Sequence, residues 1–183
     1  MLRHKRGFSL IEAMIVTTIV AVGSTVALVQ LKSTVSTSDA DKTANLVVSQ
    51  LNYARQLAVA QRRNVLVEFL GTNQVKLTRQ DIGGGTTVLS DVTLPAGYTF
   101  HLPSGTVGDT PDAFGNASAV YINNGTSGIF LGDGTFVSSG NVIQNGSIFT
   151  MGPGNGTARA VTIVGATGRL KKYGLQGSSW AVR

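Results

Sequence analysis

The stretch RGFSLIEAMIV, from Arg6 to Val16, decides how the remainder of the chain is interpreted. Basic residues cluster before Gly7, and a single carboxylate, Glu12, follows that glycine by five positions. From residue 13 to residue 31 the chain has no Asp, Glu, Lys, Arg or His. An ionisable side chain at the start of an apolar helix costs free energy when it is desolvated, so Glu12 is a candidate functional residue.

The uncharged run 13–31 is long enough to cross a bilayer as one helix. At about 1.5 Å of rise per residue it is roughly 28 Å long, close to the ~30 Å hydrocarbon core. The basic residues before it predict a cytoplasmic N-terminus, with most of the chain on the other side of the membrane. A secretory signal peptide, a plain anchor and a buried core helix are the alternatives. The length of the run and the lack of an A-x-A-like site before Lys32 favour a membrane anchor over a signal peptide.

The composition limits the classes of function. The net charge of the 183 residues is +6, and removing the three Lys and Arg residues that precede Gly7 leaves +3, so the basic pI is weak evidence for a nucleic-acid partner. The absence of cysteine excludes disulfides and cysteine zinc sites. Because the sequence has no recognisable catalytic constellation, phosphate-binding motif or metal-ligand spacing, it predicts a protein that is not an enzyme and has no cofactor or metal.

A second helical signal follows the apolar run. Small and apolar residues recur at alternating spacings of four and three, as expected for the buried face of an amphipathic helix. We therefore predict one long helix over residues 8–63, with 8–32 in the membrane and 33–63 lying on a globular domain. Its continuity across the polar segment 33–41 is left open. The stripe consists of Ala40, Ala44, Val47, Leu51, Ala54 and Ala58.

The remainder, residues 64–183, is typical of an antiparallel β-domain. Short alternating runs are separated by glycine, proline and Asn-Gly turns, and 64–70 with 73–80 predicts a hairpin. Strands are also predicted at 88–94 and 98–102, and in four runs after residue 118. The predicted fold class is α+β, with a long N-terminal helix packed on an antiparallel sheet.

The residues KRGFSLIE, Lys5 to Glu12, resemble the leader of type IV prepilins and type II secretion pseudopilins. In that family a prepilin peptidase cuts after the glycine, and the new N-terminal residue is N-methylated. The resemblance implies a leader at 1–7, a cut between Gly7 and Phe8, methylation of Phe8, and a role for Glu12 in subunit assembly. It also implies contact with inner-membrane lipid and with other pilin or pseudopilin subunits, a periplasmic β-domain, and incorporation into a pilus or pseudopilus.

Two shorter motifs resemble one branch of this family, that of pseudopilin H and the minor pilins FimT and FimU. They are Arg63-Asn64-Val65 at the predicted helix end and Gly168-Arg169-Leu170-Lys171 at the end of a late strand. The resemblance implies a minor pilin or pseudopilin. It leaves open whether the subunit serves a type IV pilus or type II secretion.

The C-terminal part of the chain is basic and has no acid after Asp133. Tyr173 and Trp180 are interleaved with the cations, a pattern that suits phosphate contacts and base stacking. The Gly-Arg tail of FimT-like members has been linked to DNA capture in natural transformation, which makes DNA a possible partner, although Lys171 replaces the second arginine of that motif. The other interpretation is a solvated basic edge strand. The possible DNA-binding residues are Arg159, Arg169, Lys171 and Lys172, with Arg183 nearby.

Overall fold

The structure is a computed structural model that describes residues 9–103, 111–123, 125–154 and 156–183. The predicted cleavage residues Gly7 and Phe8 therefore lie outside the described residues. The chain divides into two compact units, residues 1–35 and residues 36–183, and each is described by itself.

One helix, α1, extends from Leu10 to Gln61 and continues without a break through the polar segment 33–41. The sequence had left this continuity open. The helix ends two residues before the predicted Arg63 because Arg62 has a left-handed backbone, with a φ of 50°. The amide of Arg63 still donates to the carbonyl of Ala58 at 3.1 Å, which satisfies one of the last free carbonyls of the helix.

Residues 10–24 of α1, in the first unit, are mostly apolar. Every side chain from residue 9 to residue 24 is exposed, including Leu10, Ile11 and Ile19. Their hydroxyl neighbours are bonded within the helix, as when Thr18 donates to the carbonyl of Met14 at 2.8 Å. Among the described residues, no helix meets the length and hydropathy expected of a membrane-crossing segment.

The second unit contains the last part of α1 and two antiparallel sheets. A short 3₁₀ turn, Pro111–Ala113, precedes the fifth strand. The strands of the described residues are β1 (Val65–Leu70), β2 (Gln74–Gln80), β3 (Thr86–Thr93), β4 (Thr99–Phe100), β5 (Val120–Ile122), β6 (Ser127–Phe130), β7 (Phe136–Val137), β8 (Gly146–Met151), β9 (Arg159–Val164), β10 (Arg169–Gln176) and β11 (Ser179–Val182).

The first sheet has the order β3-β2-β1-β6-β7, and the second has the order β11-β10-β9-β8-β4, with β5 also paired to β8. Every pairing between these strands is antiparallel. The predicted hairpin is present as β1 and β2, with Val67 opposite Leu77. The predicted α+β class, a long N-terminal helix packed on antiparallel sheets, is therefore confirmed.

The C-terminal tail forms a hairpin that the sequence did not resolve. Gly168, with a φ of 61°, lies in the turn between β9 and β10, and Arg169 begins β10. The prediction that a strand ends at this Gly-Arg pair is therefore wrong. Because β10 pairs with both β9 and β11, it is an inner strand, and the basic edge-strand interpretation fails for Lys171 and Lys172.

The core of the second unit lies between α1 and the two sheets. All six residues of the predicted helical stripe are buried, which confirms the interpretation of that pattern. They pack in one cluster with strand residues such as Val65, Phe130 and Phe136. Gly128 has no side chain, and a Cβ there would overlap the buried ring of Phe136. The packing of helix on sheet fixes the position of the helix residues discussed next.

Candidate functional site

Glu12 lies in the first turn of α1, with an exposed side chain among exposed apolar neighbours such as Ile11 and Met14. A carboxylate near a helix N-terminus interacts favourably with the helix dipole. Its predicted partner, the amino group of another subunit, belongs to a second molecule. The assembly role of Glu12 and the processing of Gly7 and Phe8 therefore stay predictions.

The adjacent strands β9, β10 and β11 bring the predicted basic residues together on the second sheet. Arg159 lies opposite Gly174 in the pairing of β9 with β10, two positions along β10 from Lys172. Arg183 follows β11 directly, and its amide donates to the carbonyl of Lys172 at 2.9 Å. The clustering seen in the sequence is therefore a clustering in space.

The side chain of Arg159 is nevertheless fully buried, at 0% exposure. Its Nε donates to Asp41 Oδ1 at 2.8 Å, and one terminal nitrogen donates to the carbonyl of Thr37 at 3.2 Å. The other terminal nitrogen donates to the carbonyls of Gly156 at 2.7 Å and Ala158 at 3.0 Å. The prediction that Arg159 belongs to an exposed DNA-binding cluster is therefore wrong. Its buried guanidinium connects β9 to α1.

Asp41, on α1, is shared by three cations. Besides Arg159, the guanidinium of Arg183 donates to Oδ2 at 3.3 Å, and the ammonium of Lys172 lies 3.9 Å from Oδ1. Lys172 also donates to the side-chain oxygen of Asn45, one turn further along the helix, at 2.9 Å. Burial raises the pKa of Asp41, but the hydrogen bond from Arg159 and the surrounding positive charges outweigh it, so the pKa is lowered.

Asp112 forms a second polar cluster on the other side of β10. Its Oδ1 accepts from Lys171 Nζ at 2.6 Å and from the hydroxyl of Tyr173 at 2.8 Å, and its Oδ2 accepts from Thr162 at 2.7 Å. Burial raises the pKa of Asp112, but these hydrogen bonds lower it by more, so the pKa is lowered overall. Asp112 therefore attaches the 3₁₀ turn to the sheet.

We predict that Asp112→Asn lowers stability at neutral pH and flattens its acid dependence. A carboxylate whose pKa is lowered by folding stabilises the protein above its unfolded value, 3.8, and loses that contribution as the pH falls through the folded value. Hydrogen bonds to a charged group contribute about 1.5–3 kcal/mol, so a loss of roughly that size is expected at pH 7. Thermal unfolding from neutral pH to about pH 2 tests this, since those values bracket the titration of a carboxylate.

Asp91→Asn is the matched control, because Asp91 is an exposed residue of the other sheet whose carboxylate accepts from the side chain of Gln74. Its unfolding temperature is expected to follow that of the unmodified protein at every pH. The prediction is wrong if the gap between the Asp112→Asn variant and the unmodified protein stays constant as the pH falls below the unfolded pKa.

A groove of about 420 Å³ lies where α1 meets β10 and the end of β11. Four cationic residues contribute to its lining, together with the amide of Asn45 and three aliphatic residues. A Cβ at Gly174 would lie 2.9 Å from Cδ of Arg183, so the glycine leaves room for this arginine to cross β10 towards Asp41. The lining residues are Asn45, Val48, Arg169, Leu170, Lys171, Lys172, Val182 and Arg183.

The aromatic residues that were expected to stack on bases are used in packing. Tyr173 is 6% exposed and donates its hydroxyl to Asp112. Trp180 packs against the ring of Phe149 with centroids 5.5 Å apart. Neither ring lines the groove. The groove thus combines positive charge with aliphatic walls, and the interleaved stacking surface predicted from the sequence is not formed by these two rings.

Sequence reasoning missed Asp41 and Asp112 as the acids that organise this region. Asp41 directly follows Ala40 of the buried stripe, which was an available signal that its side chain lies close to the sheet. Asp112 carried no such signal, because its φ of 56° and its bonds to β9 and β10 depend on the tertiary fold. Within the described residues, no group of three or more His, Cys, Asp or Glu has a geometry suited to a metal ion.

Comparison with known proteins identifies the N-terminal segment. The family described as the prokaryotic N-terminal methylation motif matches residues 2–28, a span that includes the predicted cleavage site and Glu12. The predicted resemblance to type IV prepilins and pseudopilins is thereby confirmed for this segment. The match covers the segment that carries the predicted leader and the first turns of α1.

Solved structures that resemble this one include a minor pilin and a minor pseudopilin. The type IV minor pilin FimU of Pseudomonas aeruginosa, in two crystal forms, covers 79% of this chain at 18% and 17% identity, with TM-scores of 0.48 and 0.47. The matches span 90% and 95% of the FimU chains. The minor pseudopilin EpsH from the type 2 secretion system of Vibrio cholerae matches at 11% identity over 79% of this chain and 94% of its own, with a TM-score of 0.42. No protein of curated function matches the sequence significantly.

Proposed function

We propose that this chain is a minor pilin or pseudopilin, a structural subunit that is assembled into a type IV pilus or a type II secretion pseudopilus. The observation that carries the proposal is the methylation motif at residues 2–28, with Glu12 at the fifth position after the glycine. The two-sheet domain on the last part of α1 provides a compact body for such a subunit.

The exposed first part of α1 supports assembly. Large aliphatic side chains there are at least half exposed, from Leu10 at 80% to Val16 at 50%. Contiguous apolar surface of this kind is uncommon on a protein without a partner, and indicates contact with lipid or with another protein. We propose that residues 8–32 lie in the bacterial inner membrane before assembly, with the β-domain in the periplasm, and pack against neighbouring subunits afterwards.

The hydroxyl groups in this part of the helix suit apolar surroundings. Thr17 donates to the carbonyl of Ala13 at 3.0 Å, and Ser24 donates to the carbonyl of Val20 at 2.7 Å. A hydroxyl that is bonded to its own helix has no donor left to satisfy in lipid or in a helix interface. Among the described residues, the Glu12 side chain has no hydrogen bond or ion pair, and the proposed partner is the amino group of Phe8 on an adjacent subunit.

The first test of the proposal is proteolytic processing. Co-expression with a prepilin peptidase is expected to remove residues 1–7 and leave Phe8 as an N-methylated terminus, and intact-mass spectrometry measures both changes. An inactive peptidase and a Gly7→Val variant are the controls, and both should leave Met1 in place. An uncut chain with the active peptidase, or a cut at another bond, would contradict the proposed processing.

Capture of DNA for uptake is a second candidate, supported by the four cationic residues along one groove. The burial of Arg159 and the packing of Tyr173 and Trp180 remove three of the groups on which the sequence prediction relied. Structural assembly is therefore the better supported function, and the binding experiment in the next subsection includes DNA as an outcome.

A further inference from the structure

We propose that the groove between α1 and β10 binds acidic side chains of a neighbouring protein subunit. This inference rests on the proposed function, because assembly supplies the neighbouring subunit. The groove has about 420 Å³ of space, which accommodates a few side chains and not a folded domain. Its occupant is inferred from charge and from the nature of its walls.

The charge of the groove is positive after the internal ion pairs are counted. Four cationic residues line it, and the carboxylates of Asp41 and Asp112 are bonded to, or lie within 4 Å of, three of them. Arg169 forms no ion pair with an acid of the described residues. Because Asp41 also pairs with the buried Arg159, five cationic and two acidic side chains are present in this region, and two carboxylates from a partner would neutralise most of the excess.

The walls of the groove favour a peptide over a nucleic acid. Val48, Leu170 and Val182 line it, and Val182 is 70% exposed. Aliphatic side chains beside a partner's carboxylates cover such surface, whereas bases bind single-strand sites by stacking on aromatic rings. No aromatic residue lines this groove.

The side chains of Lys172 and Arg183 are preorganised to bind such a carboxylate. Both cations are already held near Asp41, Lys172 by Asn45 at 2.9 Å and Arg183 by its bond of 3.3 Å to the carboxylate. Ordering long side chains before binding reduces the entropy lost on complex formation. Each ammonium or guanidinium group has several donors, so each can donate to a partner's carboxylate as well as to its present acceptor.

The test measures binding of short fluorescent peptides to the full chain in a non-ionic detergent. One peptide carries aspartates between leucines, and its twin carries asparagines at the same positions. The aspartate peptide is expected to bind the unmodified protein at least about tenfold more tightly at low ionic strength, as two ion pairs of ~0.7 kcal/mol each would give. The advantage should shrink when salt is added.

The double variant Arg169→Gln/Lys172→Gln is expected to lose that tenfold preference for the aspartate peptide. In Arg169→Gln alone the preference is expected to fall by about threefold. Both variants should keep the circular dichroism spectrum of the unmodified protein. Lys76→Gln, which removes a cation from β2 on the other sheet, is the matched control and should bind like the unmodified protein. Equal binding of the two peptides would overturn the inference. So would a single-stranded oligonucleotide that binds more tightly than the aspartate peptide and depends on Arg169 and Lys172.

The peptide-binding test can fail or succeed independently of the processing test of the proposed function. Peptide binding is measured on the isolated chain, whereas processing is read from the mass of the N-terminus. A chain that is cleaved and methylated but binds neither peptide leaves the assembly proposal in place and removes the groove proposal. A chain that binds the aspartate peptide but is not processed has the opposite consequence.

Discussion

Replacing Arg159 with alanine is expected to destabilise the β-domain by about 3–5 kcal/mol, because backbone carbonyls that lose their donor in a buried place cost about 1–3 kcal/mol each. The guanidinium is completely buried and donates to Asp41 and to three backbone carbonyls. The variant loses those bonds, leaves a cavity, and removes the connection between β9 and α1 at Thr37. Chemical denaturation followed by circular dichroism measures the change in the free energy of unfolding.

Arg169→Ala is the matched control, because Arg169 is an exposed arginine on the neighbouring strand. Its effect is expected to stay within about 0.5 kcal/mol, as for most surface substitutions. Arg159→Met keeps much of the buried volume without the charge, and its loss should be smaller than that of alanine. Equal stability of the Arg159→Ala and Arg169→Ala variants would show that the buried arginine does not hold the helix.

The second large effect concerns assembly and not stability. Glu12→Ala is expected to leave insertion of the chain unchanged and to reduce incorporation into the filament at least about tenfold. Close charge pairs across interfaces have coupling energies of about 1.5–7 kcal/mol, and each 1.4 kcal/mol is a factor of ten. The physical reason is the proposed pair with the amino group of a neighbouring Phe8. Immunoblots of sheared filaments and of membranes measure the two pools.

Glu68→Ala is the control, because Glu68 is a half-buried carboxylate of β1 in the other unit of the chain. Its incorporation should equal that of the unmodified subunit when the amount in the membrane is the same. If the Glu12→Ala variant is incorporated normally, the carboxylate has no part in assembly, and the apolar residues alone account for it.

Local patterns predicted much of this fold because they act over a few residues. The stripe on α1 was found because apolar positions four and three apart lie on one helix face, and every one of those residues is buried. The β1–β2 hairpin was found because a glycine turn separates two alternating runs. The helix end was missed by two residues, since the left-handed backbone of Arg62 has no local sequence signal such as glycine.

The candidate site was predicted only in part, because its electrostatics are non-local. The cations were visible as a cluster near the C-terminus, but Asp41 is 118 residues from Arg159 and Asp112 is 59 residues from Lys171. Counting charges along the tail therefore overestimated the free positive charge and took a buried arginine for an exposed one. Which cation is buried depends on how β9 faces the helix, and this is set by the pairing of the strands.

The carboxylate of Asp41 contacts the buried Arg159 and also Lys172 and Arg183, which line the groove. An acid that binds beside Lys172 competes with Asp41 for the same positive charge. Binding of a neighbouring subunit and the packing of residues 36–61 of α1 on the β-domain are therefore thermodynamically linked. Such linkage is reciprocal. A subunit in which Asp41 binds these cations more weakly has more positive charge available for the neighbour's acid. Binding of that acid in turn weakens the contact of Asp41 with the cations, and the two equilibrium constants change by the same factor.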